Sequence, residues 1–382
     1  MTPAARVAAA IGVLDEWLLG APVEKALTAW ARGARYAGSK DRASVRDHVY
    51  EVLRRKGQCE ALGGLDGRGL LIGLIRLQGI DPAEIFTGVG HAPFALSGPE
   101  MTAPDAGMSD PWQNVPDWLH TGLRDSLGDA ADAVMGAMQD RAPLYLRVNA
   151  RKGAVEDVQD RLLADGISTE QSGCSGALKV VEGDRHVRLS SAFADGLVEI
   201  QDLSVQMACA AVNWPDSGSV LDYCAGGGGK ALAIAAVSDA TVFVHDAFPA
   251  RMSDIPARSS RAGVTLHQTQ PEAKAPYDLV LCDVPCSGAG TWRRDPEAKW
   301  RLTPDRLTEL GRIQRKIIQQ SQSLVAPGGR LVYMTCSLLQ SENEAVVESA
   351  LAVPGWTLKQ QRRFLPPEAS DGFFLAELRA VS

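Results

Sequence analysis

Four consecutive glycines, Gly226 to Gly229, stand between a short apolar segment at 219–222 and an alanine-rich stretch at 230–237. Glycine loses more conformational freedom on folding than any other residue, so an unbroken run of it needs a physical reason. Close approach is that reason. A backbone without Cβ atoms passes tightly against a ligand, and the helix beginning at Lys230 offers its amides to polar or anionic groups. The segment before the glycines ends in Asp222, and the next apolar segment, 241–245, is followed by Asp246. Strand, glycine turn, helix, strand and acid form the order of a nucleotide-binding βαβ unit, with Asp246 placed for ribose hydroxyls. A phosphate-binding P-loop is excluded, because Cys224 stands where a glycine is needed and Ala231 where Ser or Thr is needed. Two readings stay open. Gly226, Gly228 and Ala231 satisfy the loose G-x-G-x-x-A of dinucleotide dehydrogenases, whereas S-adenosylmethionine sites share the topology and place an acid, here Asp222, before the glycines.

Residues 277–292 read Tyr-Asp-Leu-Val-Leu-Cys-Asp-Val-Pro-Cys-Ser-Gly-Ala-Gly-Thr-Trp. The apolar run 279–282 predicts a strand buried on both faces, as in a parallel sheet. It ends at Asp283, and Pro285 turns the chain into a Ser/Gly-rich loop that carries Cys286. A later strand, 331–334, ends at Thr335-Cys336-Ser337. Ligands of open α/β sheets bind beyond the carboxyl ends of the strands, so an acid and two thiols there point to covalent catalysis. Cys59, Cys174, Cys209 and Cys282 read as small buried hydrophobes, and Cys224 as packing for the glycine loop.

At 382 residues the chain is long for one domain. Residues 4–62 are helical in periodicity: Val7, Ile11, Leu14 and Leu18 share one spacing, and Val45, Val49, Val52 and Leu53 another. Gly and Pro become frequent from 63 to 118, and residues 88–116 read as a loop or linker pinned by Phe94, Trp112 and Trp118. Strands at 144–148, 178–181 and 187–189 around a helix at 155–164 predict a small α+β module. From residue 198 strands and helices alternate, with a helix at 304–323 and two closing strands near Trp356 and Phe373. The expected domains are 1–130 helical, 138–197 α+β and 198–382 α/β. The fold class is α/β, with a doubly wound, mostly parallel sheet in the last domain.

The apolar share of 45% and charged share of 22% are those of an ordinary globular chain. No run of about 18 apolar residues exists, so no membrane span is expected. Seven cysteines, an odd and scattered set, indicate a reducing compartment, and hence the cytoplasm. No Cys/His spacing fits a zinc site, so no metal is expected. The net charge of −7 argues weakly against a nucleic-acid partner, but a local patch suffices for phosphate contacts. Arg42, Arg46, Arg54, Arg55 and Lys56 form one basic cluster, and Arg293, Arg294, Lys299 and Arg301 form another directly after the Cys286 loop.

Taken together these motifs resemble the Sun-type (RsmB-like) RNA cytosine-C5 methyltransferases over roughly residues 138–382. The segment Cys224-Ala-Gly-Gly-Gly-Gly-Lys230 resembles the family's cofactor loop, and Asp283-Val-Pro-Cys-Ser-Gly288 its Asp-x-Pro-Cys-Ser-Gly loop. Arg293 to Trp300, Thr335-Cys-Ser337, Glu342-Asn-Glu344, Asp371-Gly-Phe-Phe374 and Gln201-Asp202 fit as well. The helical start, with Asp41-Arg42 and residues 50–57, is similar to the family's NusB-like RNA-binding domain. Three departures stand out. Gly226-Gly227 replaces the usual Ala-Pro, which should loosen the loop; residues 264–270 lack the acid of strand three, which shifts cofactor recognition towards Asp246; and the NusB-like part is shortened after about Leu77.

The resemblance implies a Rossmann-like S-adenosylmethionine-dependent methyltransferase domain acting on ribosomal RNA, with 16S rRNA the expected substrate, as a monomer. It implies Cys336 as the nucleophile towards C6, Cys286 as the thiol that assists release, and Asp283 as the base-binding acid. Asp222, Cys224, Ala225, Gly226, Gly227, Gly228, Gly229, Lys230, Asp246 and Asp283 would contact the cofactor; Arg42, Arg46, Arg293, Arg294 and Lys299 would contact RNA. A tRNA substrate is the neighbouring alternative. A non-catalytic RNA-binding assembly factor is the alternative from another class, motivated by the altered glycine loop. A nicotinamide-dependent dehydrogenase is disfavoured, because its chemistry has no use for Cys286 and Cys336.

Overall fold

The computed structural model describes residues 1–104 and 110–381. Its contacts fall into two compact units, one made of residues 1–121, 135–140 and 292–301, the other of the rest. The first unit is helical. Thr2 caps α1 (Pro3–Leu18): its hydroxyl accepts the Ala5 amide at 3.2 Å, and Pro3 takes the first position, where its missing amide loses no bond. There follow α2 (Val23–Gly33), α3 (Ser39–Arg54), α4 (Lys56–Gly63) and α5 (Gly67–Leu77). Val7, Leu14, Val45, Val49, Val52 and Leu53 enter one core, as their spacing predicts, whereas Leu18 is exposed. Helix α5 is absent from the sequence reading. Gly67, Gly69 and Gly73 weaken its local helix preference, yet the same glycines allow close packing. A Cβ on Gly73 would lie 2.0 Å from the Cys59 carbonyl oxygen, so α4 and α5 meet backbone to backbone.

Residues 88–104 and 110–116 are irregular apart from short turns at Pro99–Met101 and Pro111–Asn114; the rest of the stretch expected to be a loop, 105–109, lies outside the described residues. Trp112 anchors the stretch at 3% exposure, but Phe94 is 86% exposed and Trp118 39%, so neither pins it. Arginines do so instead. Arg68 donates to Glu100 at 2.7 Å and to the carbonyls of Phe94 and Ala95, while Arg76 donates to the carbonyls of Leu62 and Glu100.

Helices α6 (Asp117–Leu127) and α7 (Ala131–Ala137) contribute residues to both units. The second unit then builds a small sheet from β1 (Tyr145–Val148), β2 (Ser168–Gln171), β3 (Ala177–Glu182) and β4 (Val198–Ile200), with α8 (Val155–Ala164) and α9 (Ser191–Ala194) between them. Its order is β2-β3-β1-β4 and every pairing is antiparallel. Leu146, Val158, Leu162 and Leu178 fill its core. Residues 187–189, predicted as a strand, lie in a 3-10 turn, Asp184–Leu189. Only Val187 of that turn is buried, so no alternating apolar face is available to pair.

Helix α10 (Leu203–Ala210) leads into a seven-stranded sheet of β5 (Ser219–Asp222), β6 (Thr241–Val244), β7 (His267–Gln268), β8 (Tyr277–Asp283), β9 (Val325–Thr335), β10 (Trp356–Phe364) and β11 (Phe373–Ala380). The order is β10-β11-β9-β8-β5-β6-β7; β5 to β9 pair in parallel, and β10 and β11 close one edge antiparallel. Helices α11 (Gly229–Val237), α12 (Ile255–Ala262), α13 (Pro296–Arg301), α14 (Pro304–Gln322) and α15 (Glu344–Leu351) punctuate the strands. Val220, Leu221, residues 279–282 and residues 331–334 are fully buried, the continuous apolar runs of central parallel strands. From β5 the chain steps outward to β6 and β7, then returns to β8 on the other flank of β5. That reversal is where open α/β sheets bind ligands, and Asp222 and Asp283 stand at its carboxyl end. Helix α13, although inside the span of the sheet, belongs to the helical unit: the Trp300 indole donates to the Leu53 carbonyl at 2.7 Å. No helix among the described residues is long and apolar enough to cross a membrane.

Candidate active site

Strands β5, β8 and β9 are neighbours, so their carboxyl ends bring Asp222, Asp283 and Cys336 to one edge of the sheet. Pro285 turns the chain after β8 so that the Cys286 sulfur lies 3.2 Å from that of Cys336, fifty residues away in sequence. From the first turn of α11, Lys230 reaches Asp283 at 2.6 Å. Burial works against the Lys230 ammonium, but Asp283 outweighs it and holds the pKa above its ordinary value. Asp283 keeps its second carboxylate oxygen clear of any partner among the described residues.

Asp222 is buried, and burial first and Asp283 second push its pKa up to about 7. The nearby amides of Cys224 and Ala231 pull the pKa the other way, and Oδ1 has no hydrogen-bond partner among the described residues. Asp246 is buried too. Its carboxylate accepts the amides of Gly226 at 3.0 Å and Phe248 at 2.9 Å and pairs with Arg251 at 3.0 Å, which leaves less of it for ribose hydroxyls than its position after the strand implied. Cys224 is a half-buried thiol whose pKa is raised by burial, in keeping with a packing role in the loop. The sulfurs of Cys286 and Cys336 share one hydrogen bond, and the Cys286 pKa is raised first by that bond and then by burial.

Sequence reasoning missed what aligns the two cysteine loops. Glu342, 1% exposed, accepts the Ser287 amide at 2.9 Å and the hydroxyls of Ser287 and Ser337. Gln314 of α14 donates to Glu342 and to the Pro285 carbonyl, both at 2.9 Å. Asn343 accepts the Thr335 hydroxyl and donates to the Ser337 carbonyl at 2.9 Å. Both loops are thereby tied to Glu342, which Gln314 and Asn343 flank. The motif Glu342-Asn-Glu344 was visible, but nothing in its spacing indicates that its first side chain points between the loops.

The basic residues separate. Arg42 and Arg46 are exposed on α3, Arg46 in a bidentate pair with Glu24 at 2.5 and 2.7 Å, and Arg294 is half-buried. Arg293 and Lys299 are buried in the helical unit, where Arg293 offers its carbonyl to Arg54 and Lys299 donates to the Arg54 carbonyl at 3.2 Å. Burial, beside Arg54 and Lys56, pulls the Lys299 pKa down to about 7. These two residues, expected to contact RNA, are thus packed inside the helical unit, since clustering in sequence carries no information about exposure. No group of three His, Cys, Asp or Glu among the described residues is placed to hold a metal ion.

The profile of a family described as 16S rRNA methyltransferase RsmB/F matches residues 210–379, and that of the RsmF/B-like ferredoxin-like domain matches 115–185. A ribosomal RNA small subunit methyltransferase B of Xylella fastidiosa is 30% identical over 390 residues, which cover 89% of this chain and 92% of that one. The chain belongs to the RsmB/F family of methyltransferases. Methyl transfer in this RsmB/F member depends on S-adenosylmethionine. Two solved structures share the fold: PH0851, with TM-score 0.77 at 22% identity over 99% of both chains, and NSun6 from Pyrococcus horikoshii, solved with SFG, with TM-score 0.61 at 19% identity over 70% of this chain and 98% of that one. The residues present fit the methyl donor. The buried, orphaned Asp222 oxygen awaits a donor group beside a loop that no Cβ crowds between Gly226 and Gly229.

Proposed function

We propose that the chain methylates C5 of a cytosine in 16S ribosomal RNA through a transient bond between Cys336 and C6. Cytosine C5 is a poor nucleophile; addition of a thiolate at C6 converts the ring to an enamine whose C5 carries the required electron density. The observation that carries this reading is the pair of thiols 3.2 Å apart beyond adjacent strands, beside the Asp283–Lys230 pair. When bound, S-adenosylmethionine supplies an electrophilic methyl group; Asp222, residues 224–230 and Asp246 would hold it.

Cys336, which the Thr335-Cys-Ser337 resemblance assigns as the nucleophile, attacks C6 as its thiolate while Cys286, its pKa raised, stays a thiol. Asp283, kept in place by Lys230, meets the N3 and exocyclic-amine edge of the ring, and the Lys230 ammonium beside it offsets the electron density that builds at N3 as the C6–S bond forms. A sulfur bonded to C6 no longer accepts the Cys286 hydrogen bond as a thiolate does, so the largest influence raising the Cys286 pKa falls away during the reaction. Cys286 then gives up its own proton to solvent and, as a thiolate, is able to take the C5 proton. Loss of that proton lets the C6–S bond break, its electron pair returns to Cys336 and the ring regains aromaticity. The base must be unpaired or flipped to reach these groups. The NusB-like helical unit and the small antiparallel sheet would supply RNA contacts, with Arg42, Arg46 and Arg294 as the candidate cations.

Bisulfite mapping of 16S rRNA tests the proposal. Deleting the gene should remove a 5-methylcytosine, which the unaltered chain restores and Cys336→Ala does not. A map unchanged by deletion refutes the rRNA substrate, restoration by Cys336→Ala refutes the nucleophile, and a loss confined to tRNA moves the activity to that substrate.

A further inference from the structure

Four glycines in a row leave a loop with no side chains of its own to hold it, and here three of the four are held from outside. Gly226 donates its amide to Asp246 at 3.0 Å. The Gly227 carbonyl accepts the Arg258 guanidinium of α12, and the Gly229 carbonyl accepts the Gln201 amide at 3.2 Å. Both arms are anchored in turn on the small sheet. Arg258 pairs with Glu199 of β4 at 3.3 Å, and Arg147 of β1 donates to Gln201 at 2.8 Å. Arg261 holds the same Glu199 at 2.7 Å, so that carboxylate is itself fixed. Two relays, Glu199–Arg258–Gly227 and Arg147–Gln201–Gly229, thus run from the small sheet to the cofactor loop.

We propose that Arg258 is a positioning residue for the cofactor loop, holding Gly227 in its binding shape and linking it to the small sheet. The proposal rests on the assignment of the loop to the methyl donor. Its geometry isolates one bond. Gly226 and Gly228 have φ of +49° and +79°, which alanine adopts poorly, but Gly227 has no positive φ. The one heavy atom of the described residues that a Cβ on Gly227 would meet within 4 Å, its chain neighbours aside, is Arg258 Nη1 at 2.9 Å. Gly227→Ala therefore displaces the guanidinium from the carbonyl and strains nothing else nearby, so it breaks from the loop side the same bond that Arg258→Ala breaks from the helix side.

The experiment is calorimetric titration with S-adenosylhomocysteine, together with hydrogen exchange of the amides at 226–229 in the cofactor-free chain. Each single variant should weaken binding roughly tenfold, the scale of one lost charge-assisted hydrogen bond, and speed exchange at the loop. The double variant should bind no more weakly than the worse single one, because both changes remove one interaction. Arg258→Lys, which keeps a donor for Gly227, should recover part of the loss, and KM for RNA should not move. Multiplying effects in the double variant, or an affinity unchanged in either single variant, overturn the proposal. Should Arg258→Ala not fold, Glu199→Gln, which removes the anchor, takes its place beside Gly227→Ala with the same two criteria. If the unaltered chain fails to bind S-adenosylhomocysteine, the methyl-donor assignment is at fault instead.

Discussion

Asp222→Asn should stabilise the protein and impair it at once. The buried carboxyl is moved from its ordinary 3.8 to about 7, by burial first and then by Asp283, against the pull of Lys230 and two backbone amides. That displacement corresponds to roughly 4 kcal/mol, at about 1.4 kcal/mol per pH unit. The folded pKa lies above the unfolded one, so the contribution of the neutral acid is fully present below pH 3.8 and is lost as pH rises towards 7. At pH 8 the unaltered chain therefore buries a carboxylate that Asn does not. Asn in turn leaves an amide donor unmatched where Oδ1 now lacks a partner, which costs about 1–3 kcal/mol. The net gain expected at pH 8 is on the order of 1–3 kcal/mol, shrinking to nothing or reversing by pH 4. Urea unfolding followed by tryptophan fluorescence at the two pH values measures it, and titration with S-adenosylhomocysteine should show weaker binding by the variant. A stability difference independent of pH, or an Asn variant less stable at pH 8 than at pH 4 relative to the unaltered chain, would refute the reasoning.

Glu342→Ala removes the acceptor shared by Ser287, Ser337 and Gln314, so formation of the RNA adduct should slow by about 100-fold or more, while S-adenosylhomocysteine binding stays near normal. Glu342→Gln, which keeps the shape and one acceptor, should recover part of the rate; equal losses in both variants would deny the alignment role. Lys299→Met should stabilise the helical unit most at low pH. The folded Lys299 pKa is lowered to about 7, so the neutral lysine's contribution is lost as pH falls through 7, and thermal melting should show the largest gain near pH 6 and little by pH 10.5.

What the sequence disclosed, it disclosed through periodicity and through strand-end chemistry. The buried runs at 279–282 and 331–334 announce central parallel strands, and Asp283, Cys286 and Cys336 follow because residues at such ends face the ligand crevice. What it concealed depends on three-dimensional approach. Helix α5 hides because its glycines serve a contact with α4 rather than local helix preference. Lys299 and Arg293 look like a phosphate patch and are buried, because charge composition does not report which face of a segment packs. The glycine loop reads as loose, and it would be if Arg258 and Gln201, 31 and 28 residues away in sequence, did not hold its carbonyls. Glu342 has the same character: a buried acid whose partners come from three separate elements.

On the proposed route Cys336 bonds to C6 and Cys286 acts afterwards. Its most direct test is to incubate Cys286→Ala with the 16S rRNA substrate and S-adenosylmethionine, digest the product and locate the nucleotide-bearing peptide by mass spectrometry. A stable adduct of methylated cytosine on Cys336 is expected, absent from the Cys286→Ala/Cys336→Ala double variant. Free turnover by Cys286→Ala with no trapped RNA, or an adduct on any other residue, would contradict it.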